Sequence, residues 1–189
     1  MHACVKIKRR RIVLAVLGLA FFSQAQADFK VTEIQPTLAD GVLTLTGNLD
    51  LNLSSRVEEA LAKGIPLEVN IDIRLYHPRR FLWNMKIGEW TLTRRIQYHA
   101  LSGQYLLSSG KPGAETRESL LTQQEALKQL GTLNDLKFPI KESLAPNNYS
   151  VDLRVSLDIE ALPTPLRPVA YTSRSWHLNS GWTTWKVAP

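Results

Sequence analysis

The chain has 189 residues, of which 44% are apolar and 21% are charged, and it contains five tryptophans. This is the composition of a globular protein, and it excludes a disordered tail. The formal net charge is +6, but residues 1–27 hold five basic and no acidic side chains, which leaves 18 basic and 17 acidic residues in the rest. The net charge therefore gives no reason to expect nucleic-acid binding, and none is predicted.

Residues 1–27 have the three parts of a secretory signal peptide. A basic stretch at 6–11 precedes eleven residues at 12–22 that are apolar apart from one glycine, and Ala25-Gln26-Ala27 fits an A-x-A cleavage site. Eleven helical residues span about 16 Å, whereas the hydrocarbon core of a bilayer is about 30 Å thick. We therefore expect a Sec-type signal that is cleaved directly before Asp28, with a retained anchor as the alternative.

Export places the mature chain in the periplasm, and we expect no stable membrane insertion after cleavage. The single cysteine, Cys4, lies in the predicted leader, so residues 28–189 contain none. This excludes disulfide bonds, cysteine proteases, thiol redox enzymes and cysteine-ligated zinc sites from the mature chain. A chain of about 160 residues is long enough to bury a core that is stable without such links.

The first elements after the leader are two strands and one short helix. A weak strand at 29–35 is predicted to end at Pro36. In 42–53 the odd positions are apolar apart from one glycine, and most even positions are polar. This period of two predicts a strand with one buried face. The capping box Ser55-Arg56-Val57-Glu58 begins a helix that ends at Gly64.

The middle of the chain has the pattern of a long hairpin. Odd positions are apolar in 67–76, which predicts a second strand with one buried face. The apolar positions are odd before Gly88 and even over 90–98, and this change of phase predicts a β-bulge. Residues 100–103 predict a hairpin turn into a further strand at 105–109.

The last third of the chain adds one helix and two strands. Residues 111–117 are interpreted as a loop, and the capping box Thr122-Gln123-Gln124-Glu125 begins a second short helix. Odd positions are apolar again in 149–159, and a weak strand follows at 183–187. Between these strands, the proline-rich stretch 162–168 is predicted to be a stiff, extended crossing segment.

Together these patterns predict a mainly β protein. Strands with one dry and one solvated face belong to antiparallel sheets. Helices of two to three turns must pack on a sheet to be stable in water. We therefore expect a single domain over residues 28–189, an antiparallel β-sandwich, immunoglobulin-like or related, of about seven strands with two short helices.

The sequence indicates no catalytic or metal site. His77, His99 and His177 have no partner at a zinc-site spacing, and no nucleophile-elbow, Walker-type or dinucleotide-binding glycine motif occurs. Carboxylates alternate with arginines on two predicted strands, as in Asp72-Ile73-Arg74. This pattern is typical of solvated cross-strand pairs. We predict no catalytic residue, no metal and no cofactor.

The segment 72–95 is the densest candidate for a binding site. It has a net charge of +4, and tryptophans are interleaved with its arginines. Arginine and tryptophan are enriched at binding hot spots and attract each other by cation–π contacts. The alternative is that the tryptophans belong to the core and the arginines solubilise the hairpin. The candidate binding residues are Arg79, Arg80, Trp83, Trp90, Arg94 and Arg95.

Arg94 is unusual because it falls on the apolar face of its predicted strand, between Leu92 and Ile96. An unpaired charge does not stay buried. The sequence therefore predicts either that this end of the sheet is open to water or that a carboxylate lies opposite the guanidinium.

A second group of tryptophans lies near the C-terminus, at positions 176, 182 and 185. They could line a groove for a peptide or a glycan. The interpretation that we favour is that two of them fill the sandwich core, with their N–H groups hydrogen-bonded.

Several motifs follow one another across the predicted mature chain. They are Leu53-Ser54, Val57-Glu58-Glu59-Ala60-Leu61, Lys63-Gly64-Ile65-Pro66-Leu67, Leu75-Tyr76 with Pro78-Arg79, Trp90 with Arg95, Tyr98-His99-x-Leu101-x-x-Gln104-Tyr105, and Ser173-Arg174-x-Trp176 before Trp182 and Trp185. In these motifs the chain resembles the bacterial family of unknown function called DUF4390. It departs from the family pattern at Arg94, where an aromatic or apolar residue is implied. The resemblance implies an exported proteobacterial protein, often encoded near a membrane sensor kinase, and it brings no catalytic residue.

Two functions are compatible with these patterns. The first is a periplasmic binding or protein-interaction module, accessory to an envelope sensor system, whose partner is an envelope or sensor-kinase protein. The alternative is an envelope hydrolase acting on glycan or peptide, with His99 or His177 beside a carboxylate in a deep pocket. We favour the first, because it agrees with export, a one-domain β architecture and the lack of a catalytic motif.

Overall fold

In the computed structural model the described residues are 28–79, 83–110, 115–140 and 148–187. The predicted signal peptide and Arg80 lie outside them. The strands are β1 Phe29–Ala39, β2 Val42–Leu51, β3 Leu67–His77, β4 Met85–His99, β5 Gln104–Ser109, β6 Thr116–Leu120, β7 Thr132–Pro139, β8 Ser150–Leu157 and β9 Thr183–Lys186. The helices are α1 Ser55–Ala62, α2 Gln123–Gly131 and α3 Arg167–Thr172, followed by a 3-10 turn at Arg174–Trp176.

The strands form two antiparallel sheets. The first has the order β1-β2-β7, and the second has the order β6-β5-β4-β3-β8-β9. The predicted apolar rows lie in one continuous core, which includes Leu43, Leu45, Leu49 and Leu51 of β2, Leu67, Val69, Ile71, Ile73 and Leu75 of β3, and Val151, Leu153, Val155 and Leu157 of β8. The prediction of an antiparallel β-sandwich is confirmed, with nine strands in the described ranges instead of about seven. The immunoglobulin-like label stays a prediction.

β6 and β7 are the two strands that the sequence patterns miss. β6 is an edge strand that exposes four of its five residues, so it has no buried row with a period of two. In β7 the pairing with β2 skips Asn134 and Asp135, and Asp135 has a φ of 44°. This bulge breaks the alternation of the strand. The interpretation of 111–117 as a loop is therefore wrong from Thr116 onward.

The predicted end of the first strand at Pro36 is also wrong. β1 continues through this proline, which pairs with Leu45, as far as Ala39. β1 is the edge strand of its sheet. An edge strand has one side without a neighbour, where the missing N–H of proline costs no ladder hydrogen bond.

The stretch 162–168 is not an extended crossing segment. Leu162 is buried, and the N–H of Leu166 donates to the carbonyl oxygen of Pro163 at 2.9 Å. This turn leads directly into α3, which has Pro168 in its first turn. Proline is well suited to that position, because the first N–H groups of a helix have no partner within it.

The predicted bulge in the long hairpin is confirmed. Leu75 pairs with Gly88 and Tyr76 pairs with Lys86, so that Ile87 is an extra residue in β4. The insertion reverses the faces of the strand, which turns the even positions that follow toward the core. The predicted hairpin turn between β4 and β5 is confirmed as well.

Both predicted helices are present. The N-cap of α2 is Thr122, whose hydroxyl accepts a hydrogen bond from the Glu125 amide at 3.2 Å, as the capping box predicts. The cap of α1 is Ser54 instead of Ser55, since the Ser54 hydroxyl accepts from the Val57 amide at 3.3 Å. α2 contacts both sheets, through β2 and through β4 and β5. In the part of the chain that the structure describes, no helix has the length and apolarity needed to cross a membrane.

Candidate functional site

A groove of about 810 Å³ lies where one edge of each sheet is open. β5 pairs with β4 only from Arg94 to His99, so the part of β4 before Arg94 has β3 on one side and no strand on the other among the described residues. β7 is one of the two edge strands of the three-stranded sheet. The groove is bounded by residues 90–93 of β4, the end of β5 at 108–110, and residues 137–139 of β7.

Trp90 and Phe138 form the aromatic part of the groove. Their ring centroids are 5.4 Å apart and the rings are tilted by 42°, an arrangement that aromatic pairs favour. A Cβ atom on Gly88 would meet three atoms of the Trp90 ring. The glycine at the bulge therefore leaves the space in which the indole lies against β7.

The charged residues of the groove are balanced except for one. The guanidinium of Arg95 binds the carboxylate of Glu68 across the β3–β4 pair. Glu115 lies 3.4 Å from the guanidinium of Arg117. Lys137 has no counter-ion among the described residues. The groove therefore carries one ammonium group that an acidic ligand could neutralise.

Arg94 lies beside the groove and binds the end of α2. Its Nη1 donates to the carbonyl oxygens of Leu130 at 2.6 Å and Thr132 at 2.7 Å. These are the C-terminal carbonyls of the helix, which attract a cation. Burial lowers the pKa of Arg94, while the charge of Glu118 opposes that shift. The sequence predicts open water or a facing carboxylate for this guanidinium. In the structure, the carbonyl oxygens at the end of α2 accept its hydrogen bonds.

Arg79 and Trp83 lie at the tip of the β3–β4 hairpin. Arg79 Nη2 is 2.7 Å from the sulfur of Met85, and Trp83 is 90% exposed. Met85 precedes Trp90 by five residues, about 17 Å along a strand. The hairpin tip is therefore a surface separate from the groove.

The six predicted binding residues thus fall at different places. Trp90 and Arg95 line the groove, Arg94 lies next to it, Arg79 and Trp83 lie at the tip, and Arg80 lies outside the described residues. Sequence reasoning missed Phe138 and Lys137, because the strand that carries them has no regular alternation.

The outer face of the six-stranded sheet holds a network of paired charges. The guanidinium carbons of Arg74 and Arg154 lie 4.1 Å and 4.7 Å from the ring centroid of Trp182. Arg154 donates to Asp72 at 2.7 Å, and Arg74 donates to Glu89 at 2.6 Å. The predicted solvated cross-strand pairs are therefore present.

The three C-terminal tryptophans have different environments. Trp176 is buried, and Trp185 is half-buried against the core, so two tryptophans contribute to the core as predicted. The indole nitrogen of Trp185 has no hydrogen-bond partner in the described part of the molecule, and the prediction that its N–H is bonded is wrong. Trp182 lies on the outer sheet face instead.

The histidines lie away from the groove. His77 Nδ1 is 3.2 Å from the carbonyl oxygen of Asn148, His99 Nδ1 is 3.0 Å from the Ser102 hydroxyl, and His177 is exposed. Across the described ranges, no group of three or more His, Cys, Asp or Glu side chains is placed to hold a metal ion. The contacts of these histidines therefore do not support the hydrolase alternative, which requires His99 or His177 beside a carboxylate in a deep pocket.

Comparison with known proteins identifies one family. A family model described as "Domain of unknown function (DUF4390)" matches residues 26–186, a range that contains all nine strands. No curated protein and no solved structure matches the chain. The matched range therefore includes all the strands that form the sandwich and the residues that line the groove.

Proposed function

The chain belongs to the DUF4390 family, a domain of unknown function, and on that premise we propose that it is an exported interaction module that binds a protein of the cell envelope in the groove between β4 and β7. The partner is an envelope or sensor-kinase protein, and the compartment is the periplasm. The family description names no activity, so the proposal rests on the surfaces of this chain.

The observation that carries the proposal is the groove. Its volume of about 810 Å³ lies within the usual range of ligand sites, about 300–1,000 Å³. It combines two open sheet edges with the half-buried rings of Trp90 and Phe138. Aromatic side chains that become buried on binding contribute most to the affinity of protein interfaces. A partner seated in the groove would cover both rings.

The hairpin tip is a second contact surface of the proposed module. Trp83 is 90% exposed, and Arg79 has no carboxylate partner among the described residues. An exposed tryptophan and an arginine without a carboxylate partner are side chains typical of binding hot spots. A partner larger than the groove would contact this tip as well.

Site-specific photocrosslinking in intact cells, followed by mass spectrometry, tests the proposed surface. A photoreactive residue in place of Thr91, which lines the groove, should capture one defined envelope protein. The same residue in place of Thr37, on β1 at the opposite edge of the three-stranded sheet, should not. Trp90→Ala should remove the adduct, and Trp83→Ala should weaken it. Equal adducts from both positions, or an adduct that survives Trp90→Ala, would refute the groove as the binding surface.

Export has its own test. Fractionation should place the protein in the periplasmic extract, and N-terminal sequencing should give Asp28 as the first residue. A protein that retains its leader and sediments with the membranes would support the retained anchor instead.

A further inference from the structure

Residues 90–93 of β4 form an open, uncharged stretch of sheet edge in the described part of the molecule. An open edge presents unpaired N–H and C=O groups, which proteins usually protect with prolines, charges, bulges or short strands. Residues 90–93 are Trp-Thr-Leu-Thr, without charge or proline, and their pairing with β3 is regular. Tryptophan and threonine also favour strand structure. This edge is therefore ready to pair with another strand.

The other edges carry protective features. β1 contains Pro36 and a shift in register between Val31 and Glu33. β6 contains Arg117 and Glu118, and β9 ends with Lys186. β7 has the bulge at Asp135 and ends with Pro139. The part of β4 before Trp90 is protected in the same way, by Lys86, Glu89 and the bulge at Ile87, so residues 90–93 are the uncharged and regularly paired stretch that remains.

The groove continues the line of β5. β5 ends at Ser109, opposite Arg94, and the groove begins there and extends along 90–93. Four residues of an extended chain cover about 13 Å. A strand added at this place would extend the six-stranded sheet beyond the end of β5 and would face Phe138 on β7.

The charged side chains of the groove determine which side chains an extended ligand should carry. Glu68 and Arg95 neutralise each other, and Glu115 binds Arg117, which leaves Lys137 without a counter-ion among the described residues. The cation Arg94 lies next to the groove with carbonyl oxygens as partners. An acidic side chain of a ligand can neutralise Lys137, whereas a basic one cannot.

We propose that the groove binds an extended segment of the partner polypeptide, whose backbone pairs with residues 90–93 and whose side chains alternate between apolar and acidic. This inference rests on the proposed function and specifies how the partner is held. In such strand addition, main-chain hydrogen bonds supply affinity and alternate side chains supply specificity. Apolar side chains lie on Trp90 and Phe138, and an acidic side chain neutralises Lys137.

A synthetic octapeptide of alternating glutamate and valine, acetylated and amidated at its ends, is the ligand for the test. Added to the purified 15N-labelled protein at up to about 2 mM, a range that detects weak binding, it should slow hydrogen exchange of alternate amides over 90–93. The amides of β1, at the other end of the three-stranded sheet, should not change.

Two analogues of the octapeptide separate backbone pairing from side-chain contact. One is N-methylated on every valine and the other on every glutamate, so both keep all side chains. Since alternate N–H groups of a strand point to opposite sides, the analogue that blocks the paired side should bind about tenfold more weakly than the other.

The charge preference has a matched pair of protein variants. Lys137→Glu should weaken binding of the octapeptide by about tenfold and improve binding of a lysine–valine octapeptide. Lys30→Glu makes the same charge change on β1, where the side chain is exposed and distant from the groove, and should change neither affinity. Equal affinities of wild-type protein for the two octapeptides would refute the acidic part of the proposal.

Three outcomes would overturn strand addition. The first is that hydrogen exchange of the amides over 90–93 does not change at saturating or maximal peptide concentration. The second is that the parent octapeptide and both N-methylated analogues bind with equal affinity. The third is that the same amides are protected without peptide in a protein that sediments as a dimer, because a second copy of the chain would then be the occupant. A crosslink from Thr91 to an envelope protein combined with unprotected β4 amides would leave the interaction module standing and refute only the pairing. Protection of the β4 amides by the octapeptide, without any crosslinked partner in cells, would support the strand pairing and refute the envelope interaction module.

Discussion

The outer face of the six-stranded sheet and the groove at its edge share β4 but satisfy their polar groups differently. On the outer face, Arg74 and Arg154 are held by carboxylates and by the ring of Trp182. At the groove, the edge at 90–93 has no strand neighbour in the described residues, and Lys137 has no counter-ion there. The first surface is saturated by its own side chains, and the second offers groups to a ligand.

This difference shows that a high density of arginine and tryptophan does not by itself identify a binding site. Side chains of these types can pair with one another across a sheet, and such exposed pairs add little stability. Unsatisfied backbone at an open edge is the more specific signal, because native proteins usually protect their edges. The following substitutions test whether the two surfaces are as different as their contacts indicate.

Trp90→Ala should have the largest effect. The indole is half-buried and packs on Phe138, so its removal should lower the free energy of unfolding by about 2–3 kcal/mol. The same change should weaken binding of the glutamate–valine octapeptide by about tenfold or more. Urea unfolding and calorimetric titration measure the two quantities.

Trp182→Ala is the matched control on the outer face. It removes an indole that contacts two guanidinium groups, and the expected loss of stability is about 0.5–1 kcal/mol, as for exposed cation–π pairs. Affinity for the octapeptide should not change. If both tryptophan variants lost the same affinity, the groove could not be the distinct surface described above.

Arg94→Met should cost about 1–3 kcal/mol of stability, because it leaves the carbonyl oxygens of Leu130 and Thr132 without their donor. Arg95→Met removes the same group from the next residue of β4, where an exposed pair with Glu68 should contribute only about 0–1 kcal/mol. Urea unfolding of the two variants gives the comparison. If Arg94→Met lowered the free energy of unfolding no more than Arg95→Met does, the proposed role of Arg94 at the end of α2 would be contradicted.

Much of the sandwich can be predicted from sequence because a period of two is a local property. The rows of β2, β3 and β8 need only their own residues to define a buried face. β7 is not predicted because Asn134 and Asp135 interrupt its alternation, and β6 is not predicted because it has no buried row of side chains. The predicted end of β1 at Pro36 is wrong, because a proline disrupts a central strand but is tolerated in an edge strand. Whether a strand lies at an edge depends on the strand order, which is set by contacts between residues distant in sequence.

The candidate site can be predicted only in part, for the same reason. Trp90 and Arg95 belong to a segment whose composition is conspicuous in the sequence. Phe138 and Lys137 come from the other sheet, and nothing local shows that β7 lies beside β4. The role of Arg94 likewise depends on the docking of α2, which a single strand pattern does not contain. Open edges become visible only when the strand order is known.

Arg154→Gln should have a smaller effect than the substitutions at Trp90 and Arg94. The guanidinium is partly exposed, and its partner Asp72 also accepts a hydrogen bond from the Thr91 hydroxyl at 2.8 Å, so the carboxylate keeps one donor. We expect a loss of about 0.2–1 kcal/mol, which should shrink in about 1 M NaCl because salt screens exposed pairs. A salt-independent loss above about 2 kcal/mol, measured by urea unfolding, would mean that this network is buried and not solvated.

The smallest effect concerns the titration of Glu89. Hydrogen bonds from Lys86 and then from Arg74 lower the pKa of this carboxyl below its ordinary value of 4.5. Because the folded-state pKa is depressed, the stabilisation is present above the unfolded pKa and is lost as the pH falls through the folded one. Lys86→Met should raise the pKa of Glu89 toward 4.5 in an NMR titration of the carboxyl carbon, whereas Lys128→Met, on the exposed side of α2, should leave it in place. An unchanged pKa in the Lys86 variant would show that Arg74 alone holds this carboxylate, and that the outer face is saturated by fewer partners than its contacts indicate.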